Sequence, residues 1–207
     1  MADAVGSARR TGRAIASSLC VPVFLYGRAA ASASSVRRAE LPDIRRGGLP
    51  ALAAKMSNPE WAPDFGPLAP HPSAGVTVVG ARDFLIAFNV ILESADVSQA
   101  RSIAAEMRET NGGLSAVRAL GLSLARRGRT QVSMNLLDYR QTSPRGAFAA
   151  VCRAAESRGI EVVSGELVGL VPAAAVEGVE GPEIGLERLR PEKILENQLR
   201  SAGLTAE

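Results

Sequence analysis

The residues that could carry chemistry are concentrated in a loop at residues 58–75, which contains the only tryptophan, the only histidine and five of the twelve prolines. Histidine is the side chain that exchanges protons near neutral pH, so His71 is the only candidate for histidine acid–base catalysis. Its neighbours Pro70 and Pro72 fix the backbone but do not indicate proton transfer. A surface or ligand-contacting histidine is therefore favoured over a catalytic one.

The composition of this loop predicts a rigid, shaped backbone. Proline fixes φ and glycine permits positive φ, so a loop rich in both holds one conformation better than a flexible spacer does. Rigid walls of this kind beside a buried strand are suited to holding a flat ligand. The sequence contains no phosphate-binding P-loop, dinucleotide fingerprint or nucleophile elbow.

A second group of polar residues alternates along a predicted strand. Gln131, Ser133 and Asn135 share one face of that strand, while the residues between them are apolar and can meet helices. Arg82 and Asn89 lie on or beside an earlier strand. Periodicity alone is equally compatible with a solvated face and with a face that binds a ligand or another domain.

The elements that position these residues follow a β-α-β-β-α-β order. They are, in sequence, a strand over 76–92 interrupted near 80–82, a helix over 97–110 capped by Ser94 or Asp96, strands 117–124 and 130–138 around an Arg-Arg-Gly turn, a helix from 144 to 159 and a strand over 160–171. This order predicts an α+β fold, a ferredoxin-like sandwich with an antiparallel sheet and two helices on one face.

The regions outside this sandwich are less regular. A helix over 3–19, a buried strand over 21–26 and a helix near 49–56 predict a partial α/β segment, and 173–207 is predicted as a partly packed helix broken by Gly and Pro. The predicted division is a partial subdomain at 1–60, a loop at 61–75, a complete subdomain at 76–175 and a helical tail at 176–207.

Charge and cysteine content exclude several classes of protein. Residues 1–50 carry eight arginines and three acids, but no aromatic residues alternate with them, so solvated helix faces are favoured over a nucleic-acid site. Cys20 and Cys152 are far apart and the chain has one histidine, so neither a structural zinc site nor another metal site is expected. The cysteines are predicted to be free thiols.

The amino-terminal region imitates a secretory signal. Basic residues 9–13 precede an apolar run and then small residues, the order of a signal peptide. The run contains Pro22 and β-forming residues, which favours a buried strand. No run approaches the ~20 apolar residues that span a bilayer, so a cytoplasmic protein without membrane contact is predicted.

Several motifs closely resemble glutamate formiminotransferases, folate-dependent enzymes of histidine breakdown. They are VPVFLYGRAA at 21–30, WAPDFGP at 61–67, GVTVVGARDFLIAFNV at 75–90, QVSMNLLDY at 131–139 and ELVGLVP at 166–172. The resemblance extends over residues 3–199. It implies transfer of a formimino group from N-formiminoglutamate to N5 of tetrahydrofolate, the co-substrate, and two α/β subdomains with folate in a groove between them.

The resemblance also implies site residues. A folate-contacting loop of the family matches Gly66, Pro67, Leu68, Ala69, Pro70, His71, Pro72, Ser73, Ala74 and Gly75. Arg82, Asn89, Gln131 and Asn135 are possible substrate-binding residues, with Arg82 suited to a glutamate carboxylate.

One family feature is missing from the sequence. The family's catalytic histidine lies in a segment resembling HPRMGA followed by DVCPFIPV, and no such segment occurs here. The chain therefore resembles a second subdomain with part of the first, and its catalytic residue is unknown. A separately encoded or missing catalytic half, a repurposed fragment and self-assembly are the alternatives.

These alternatives define the expected partners and a rival function. An unpaired edge of the strand at 21–26 predicts a partner chain or a homo-oligomer. The rival is a non-catalytic module that binds folate or a partner.

Overall fold

The computed structural model describes residues 1–30 and 40–204, which form two compact units, Met1–Asp83 and Phe84–Glu207. The small residues that complete the signal-like pattern extend into 31–39, which lie outside the described residues. The end of the tail at 205–207 also lies outside them. The mixed α and β composition predicted from the sequence is confirmed.

The first unit is built on a pair of parallel strands. Its elements are α1 (Ala2–Leu19), β1 (Val23–Gly27), α2 (Leu41–Arg45), α3 (Gly48–Lys55) and β2 (Thr77–Ala81). In this pair Val23 lies opposite Thr77 and Gly27 opposite Ala81. The basic and apolar stretch that imitates a signal peptide forms α1 followed by the buried β1.

Small residues allow α1 to lie close to these strands. Ala8, Gly12 and Ala16 are its buried residues and recur at intervals of four. A Cβ at Gly12 would lie 3.2 Å from Val23 Cγ1 and 3.3 Å from Leu25 Cδ2, so a larger residue would push the helix away. The opposite face of β1 presents Phe24 to a separate cluster formed with Ile44, Leu52 and Met56.

Both edges of β1 carry hydrogen bonds. One edge pairs with β2, and the other pairs with the segment at Asp64 and Phe65. The Val23 amide donates to the Phe65 carbonyl at 2.9 Å, and the Leu25 amide donates to Asp64 Oδ2 at 2.7 Å. The edge predicted to be unpaired is therefore paired in part, through one bridge at Val23 and a side-chain hydrogen bond at Leu25. The homo-oligomer stays a prediction.

The second unit contains a four-stranded sheet. Its elements are β3 (Ile86–Leu92), α4 (Val97–Met107), β4 (Val117–Leu124), β5 (Arg129–Leu136), α5 (Pro144–Glu156), β6 (Val162–Val168) and α6 (Leu195–Ser201). The strand order is β4-β5-β3-β6, and every neighbouring pair is antiparallel. From β3 to β6 the elements follow the order β-α-β-β-α-β. Helix α4 is capped by the Asp96 carboxylate, which accepts from the Ser98 amide at 2.8 Å.

The core of this unit lies between the sheet and the helices. Phe88 and Val90 of β3, Met134 of β5, Ile103 of α4 and Val151 of α5 are almost fully buried in one cluster. Burying such side chains completely contributes roughly 1.5–3 kcal/mol each. The alternate residues of β3 and β5 therefore point to the other face of the sheet, which carries no helix of this unit.

The strand predicted over 76–92 is two strands that belong to different sheets. β2 pairs with β1 in the first unit, and β3 is central in the second sheet. The units divide at Asp83 and Phe84, whereas the second subdomain was predicted from the sequence to begin at residue 76. Apolar, β-branched residues occur on both sides of the interruption, so hydrophobicity alone does not distinguish the two sheets.

The tail is not the broken helix that was predicted. It forms short 3₁₀ helices at Ala173–Ala175, Gly181–Ile184 and Pro191–Lys193 before α6. Ile184 is completely buried, and the Gly165 amide of β6 donates to the Gly185 carbonyl at 2.8 Å. A Cβ at Gly165 would lie 2.0 Å from the Ile184 carbonyl oxygen, so only glycine lets the tail backbone approach the sheet this closely. Of the helices in the described ranges, none has the length and apolarity needed to cross a membrane.

One buried polar atom permits a test of this core. Thr130 of β5 is completely buried, and its hydroxyl has no hydrogen-bond partner among the described residues. Replacing the hydroxyl with a methyl group removes an unsatisfied polar group, so Thr130→Val is expected to raise the free energy of unfolding by about 1 kcal/mol in urea denaturation.

Thr142→Val is the matched control. The Thr142 hydroxyl donates to the Ser115 carbonyl at 2.7 Å, so losing it is expected to lower the free energy of unfolding by about 1 kcal/mol. A Thr130→Val protein that is less stable than the wild type would contradict the prediction.

Candidate functional site

The loop at residues 66–75, called the proline loop from here on, lies in the first unit and begins where the chain leaves the edge of β1. Gly66 has φ of 88°, a region that favours glycine, and a Cβ there would lie 2.8 Å from the Val21 carbonyl oxygen. The backbone hydrogen bonds of Phe65 to Val23 precede it directly. The starting direction of the loop is therefore fixed by the sheet.

The other end of the proline loop is a closed turn. The His71 amide donates to the Gly75 carbonyl at 2.8 Å, and the Gly75 amide donates to the His71 carbonyl at 2.9 Å. Gly75 is buried with φ of 68°, and a Cβ there would lie 3.2 Å from Leu49 Cδ2. The turn at 71–75 is thus closed at its base and held against α3.

The His71 ring lies inside this turn. Its Nδ1 accepts from the Ala74 amide at 3.1 Å and the Ser73 amide at 3.3 Å, and the Ser73 hydroxyl lies 3.3 Å away. A nitrogen that accepts from backbone N–H groups carries no proton, so the ring proton is on Nε2. Nδ1 is therefore engaged in loop structure, and only Nε2 is available to a ligand.

The rest of the proline loop presents backbone and apolar atoms to solvent. Residues 66–69 and 72–74 are exposed, and Leu68 is 68% exposed. None of the ten residues is Asp, Glu, Lys or Arg. A flat ring can therefore meet this loop without removing a formal charge from water.

A shallow depression adjoins the start of the loop. It is lined by Arg13, Ala16 and Ser17 of α1 together with Phe65 and Gly66. The Arg13 guanidinium lies over the Phe65 ring, 5.2 Å from its centroid, which is a cation–π contact. This part of the first unit combines a positive charge with an aromatic surface.

Arg82 lies at the carboxyl end of β2, beside a fixed ion pair. Asp83 accepts from Arg28 Nε at 2.9 Å and Nη2 at 2.6 Å, while Arg82 Nη1 donates to the Asp83 carbonyl at 3.1 Å. Arg82 is exposed, so its guanidinium faces solvent. The carboxyl ends of parallel strands are where open α/β sheets bind ligands.

The other predicted polar residues lie in the second unit, on the helix-free face of its sheet. Asn89 is directly opposite Ser133 on β5 and Glu166 on β6. Asn89 Nδ2 donates to Glu166 Oε2 at 2.8 Å. Gln131 and Asn135 flank this row on β5, so all the predicted polar residues of the second unit share one face.

Large apolar side chains accompany these polar groups on the same face. Leu120 is 62% exposed, Leu122 is 42% exposed and Val168 is 51% exposed. They lie opposite Ser133, Gln131 and Ala87, respectively. The face thus combines hydrogen-bonding groups with exposed apolar surface, a combination common in binding sites.

Comparison with known proteins matches two family models to this chain. The family model described as "Formiminotransferase domain, N-terminal subdomain" matches residues 1–82, and the model described as "Formiminotransferase domain" matches residues 87–180. The chain belongs to the formiminotransferase family. The two matches meet where the structure divides into its two units.

Relatives within the formiminotransferase family include proteins with one and with two named activities. Glutamate formimidoyltransferase from Streptococcus pyogenes serotype M1 is 35% identical over 95% of this chain and 65% of its own length, and that from Thermoplasma acidophilum is 35% identical over 98% and 66%. Formimidoyltransferase-cyclodeaminase from Sus scrofa is 44% identical over 85% of this chain and 33% of its own length. The chain thus spans about a third of the bifunctional relative and about two thirds of the other two.

Glu166 is a polar residue of this face that the sequence analysis missed. It lies within the family-like motif ELVGLVP and alternates with Ser164 on β6. That alternation could have indicated a polar face, but the partner Asn89 is 77 residues away along the chain.

The family-like motif at 131–139 ends in a structural turn. The Asp138 carboxylate accepts from Arg140 Nε at 2.8 Å and Gln141 Nε2 at 3.2 Å. The hydrogen bonds from Arg140 and Gln141 lower the pKa of Asp138 to about 2. The carboxylate is therefore ionised at neutral pH and occupied by its neighbours. Across the described ranges, no group of three metal-ligating side chains converges.

Proposed function

We propose that this chain is the folate-binding portion of a glutamate formimidoyltransferase of histidine catabolism, acting in the cytoplasm. The observation that carries the proposal is the fixed, uncharged proline loop at the position where the family has its folate-contacting loop. Glycine at both ends and hydrogen bonds at its start and its closing turn give the loop one conformation. A pterin ring can pack against a preformed wall of this kind.

The second unit supports a further part of the proposal. Its strand order and its all-antiparallel pairing match what a ferredoxin-like sandwich requires, so we assign it as the carboxy-terminal subdomain of the family. Asn135, Ser133 and Glu166 supply donors and acceptors on its helix-free face, while Asn89 and Gln131 lie on the same face and are only 9% exposed. The exposed leucines beside them favour a binding face over a purely solvated one.

The ligands of the proposal are tetrahydrofolate and N-formiminoglutamate. Tetrahydrofolate supplies the nucleophilic N5 that accepts the formimino carbon. As the bond from N5 to that carbon forms, N5 loses its proton. The bond from the carbon to the glutamate nitrogen breaks, and the departing amine takes a proton. The residues of this chain bind and orient the reactants, which is the part of catalysis that proximity provides.

The source of that proton is a separate question. His71, the only histidine, uses Nδ1 to hold the proline loop, which supports a positioning role. We propose that the proton donor belongs to a segment that carries the family's His-Pro-Arg-Met-Gly-Ala motif, supplied by another chain or another part of the protein.

A second candidate function is a folate-binding module that performs no transfer. The observation that favours it is the same engagement of the His71 ring, because no other imidazole is present in the sequence.

Arg82 tests the carboxylate part of the proposal. Replacing its guanidinium with a neutral amide removes a charge-assisted, bidentate partner, so Arg82→Gln is expected to weaken N-formiminoglutamate binding about tenfold or more in calorimetry. Arg126→Gln, in the exposed hairpin turn between β4 and β5, is the control and is expected to leave binding unchanged. Equal affinities in both variants would remove Arg82 from the substrate site.

Gly75 tests the folate loop. A β-branched residue at a φ of 68° is strained and would crowd Leu49, so Gly75→Val is expected to abolish calorimetric binding of 5-formyltetrahydrofolate, a stable product mimic. Gly128→Val has the same kind of backbone strain at φ of 60° with open space around the Cβ, so it should bind normally. Unchanged binding in Gly75→Val would exclude the proline loop from the site.

Glutamate release distinguishes the two candidate functions. The purified chain is incubated with tetrahydrofolate and N-formiminoglutamate, alone and with a formiminotransferase segment that carries the family's histidine motif. The enzyme proposal predicts release when that segment is present. Folate binding without release in either case would favour the module, and a folded chain that binds no folate would contradict both.

A further inference from the structure

We propose that His71 is the positioning residue of the proline loop, acting through Nδ1 as an internal hydrogen-bond acceptor. The inference rests on the proposed function, because it concerns how the proposed folate loop is kept in its binding conformation. In this proposal Nδ1 is the ring atom on which the loop depends, and Nε2 has a secondary role.

The geometry of the turn carries the inference. The two backbone hydrogen bonds between His71 and Gly75 close only its base. The amides of Ser73 and Ala74, farther along the turn, both donate to Nδ1, at 3.3 and 3.1 Å. Without an acceptor at this point, neither amide has a partner within the turn among the described residues. The ring therefore fixes the exposed part of the loop from inside.

The arrangement is the histidine counterpart of an Asx turn. In Asx turns, the side-chain oxygen of Asn or Asp accepts from the backbone N–H two residues further on. His71 Nδ1 and an asparagine Oδ1 are both attached to Cγ, so they occupy equivalent positions. A glutamine oxygen is one bond farther away and corresponds to Nε2. Substituting asparagine or glutamine for His71 therefore tests the roles of Nδ1 and Nε2 separately.

Three variants of the full chain test the proposal by calorimetry with 5-formyltetrahydrofolate. His71→Asn keeps an acceptor at the Nδ1 position and is expected to bind within about threefold of the wild type. His71→Ala and His71→Gln lose that acceptor, and each is expected to bind about tenfold more weakly or worse, since a net hydrogen bond is worth about 1 kcal/mol and two are lost. Equal affinities in the wild type and all three variants would overturn the proposal. So would normal binding in His71→Gln together with lost binding in His71→Asn.

Ligand-free measurements keep this proposal separable from the proposed function. Because the chain has one histidine, its ¹⁵N spectrum reports a single ring, and the tautomer of the neutral ring with its proton on Nε2 is expected. Amide hydrogen exchange at Ser73 and Ala74 is expected to be about fivefold faster or more in the His71→Ala and His71→Gln variants, but not in His71→Asn. A proton on Nδ1, or unchanged exchange in Ala, would overturn the proposal even if folate binds.

The converse result is equally informative. If the wild type binds no folate analogue but shows the expected ring proton and exchange pattern, the proposed function fails and the role of His71 in the turn stands. Thermal unfolding of each variant provides the control for folding. The turn is exposed at residues 72–74, so its loss of order is local and each variant is expected to keep a cooperative unfolding transition.

Discussion

The hydrogen bonds along both edges of β1 are the constraint on which the first unit depends. A strand in a small parallel pair exposes half of its backbone groups, and the segment at Asp64 and Phe65 hydrogen-bonds the Val23 amide and carbonyl and the Leu25 amide on that edge. Because Phe65 is held there, the chain must leave at Gly66 in a conformation that favours glycine. The position of the proline loop is therefore a consequence of the sheet and does not depend on the loop's own residues alone.

Local signals in the sequence predicted much of the fold, and long-range pairings account for what it missed. α4 and α5 follow from caps at Asp96 and Ser143, and the hairpin follows from the turn at Gly128. The split of the 76–92 region depends on whether each part pairs with β1 or with β5, which periodicity does not encode. The tail packs as it does because Gly165 leaves space for the Ile184 carbonyl oxygen, a contact between distant residues.

In the candidate site, too, local patterns predicted some features and long-range contacts decided the others. Alternation along β5 predicted a shared polar face, and the density of proline and glycine predicted a shaped loop. The Asn89–Glu166 hydrogen bond was missed because it requires the register between β3 and β6. The role of the His71 ring was missed because its partners are backbone amides, which a sequence pattern does not display.

The distribution of charge in the first unit suits a ligand with a neutral ring and a carboxylate tail, as the proposed function requires. The proline loop has no charged residue, so a ring can pack against it without the cost of desolvating an ion. Arg28 is occupied by Asp83, whereas the guanidiniums of Arg13 and Arg82 remain at the surface. A charge-assisted hydrogen bond at a partly solvated site gains energy without burying an unpaired ion. In the proposed function, shape recognition by the loop and charge recognition by arginines can therefore be separated by mutation.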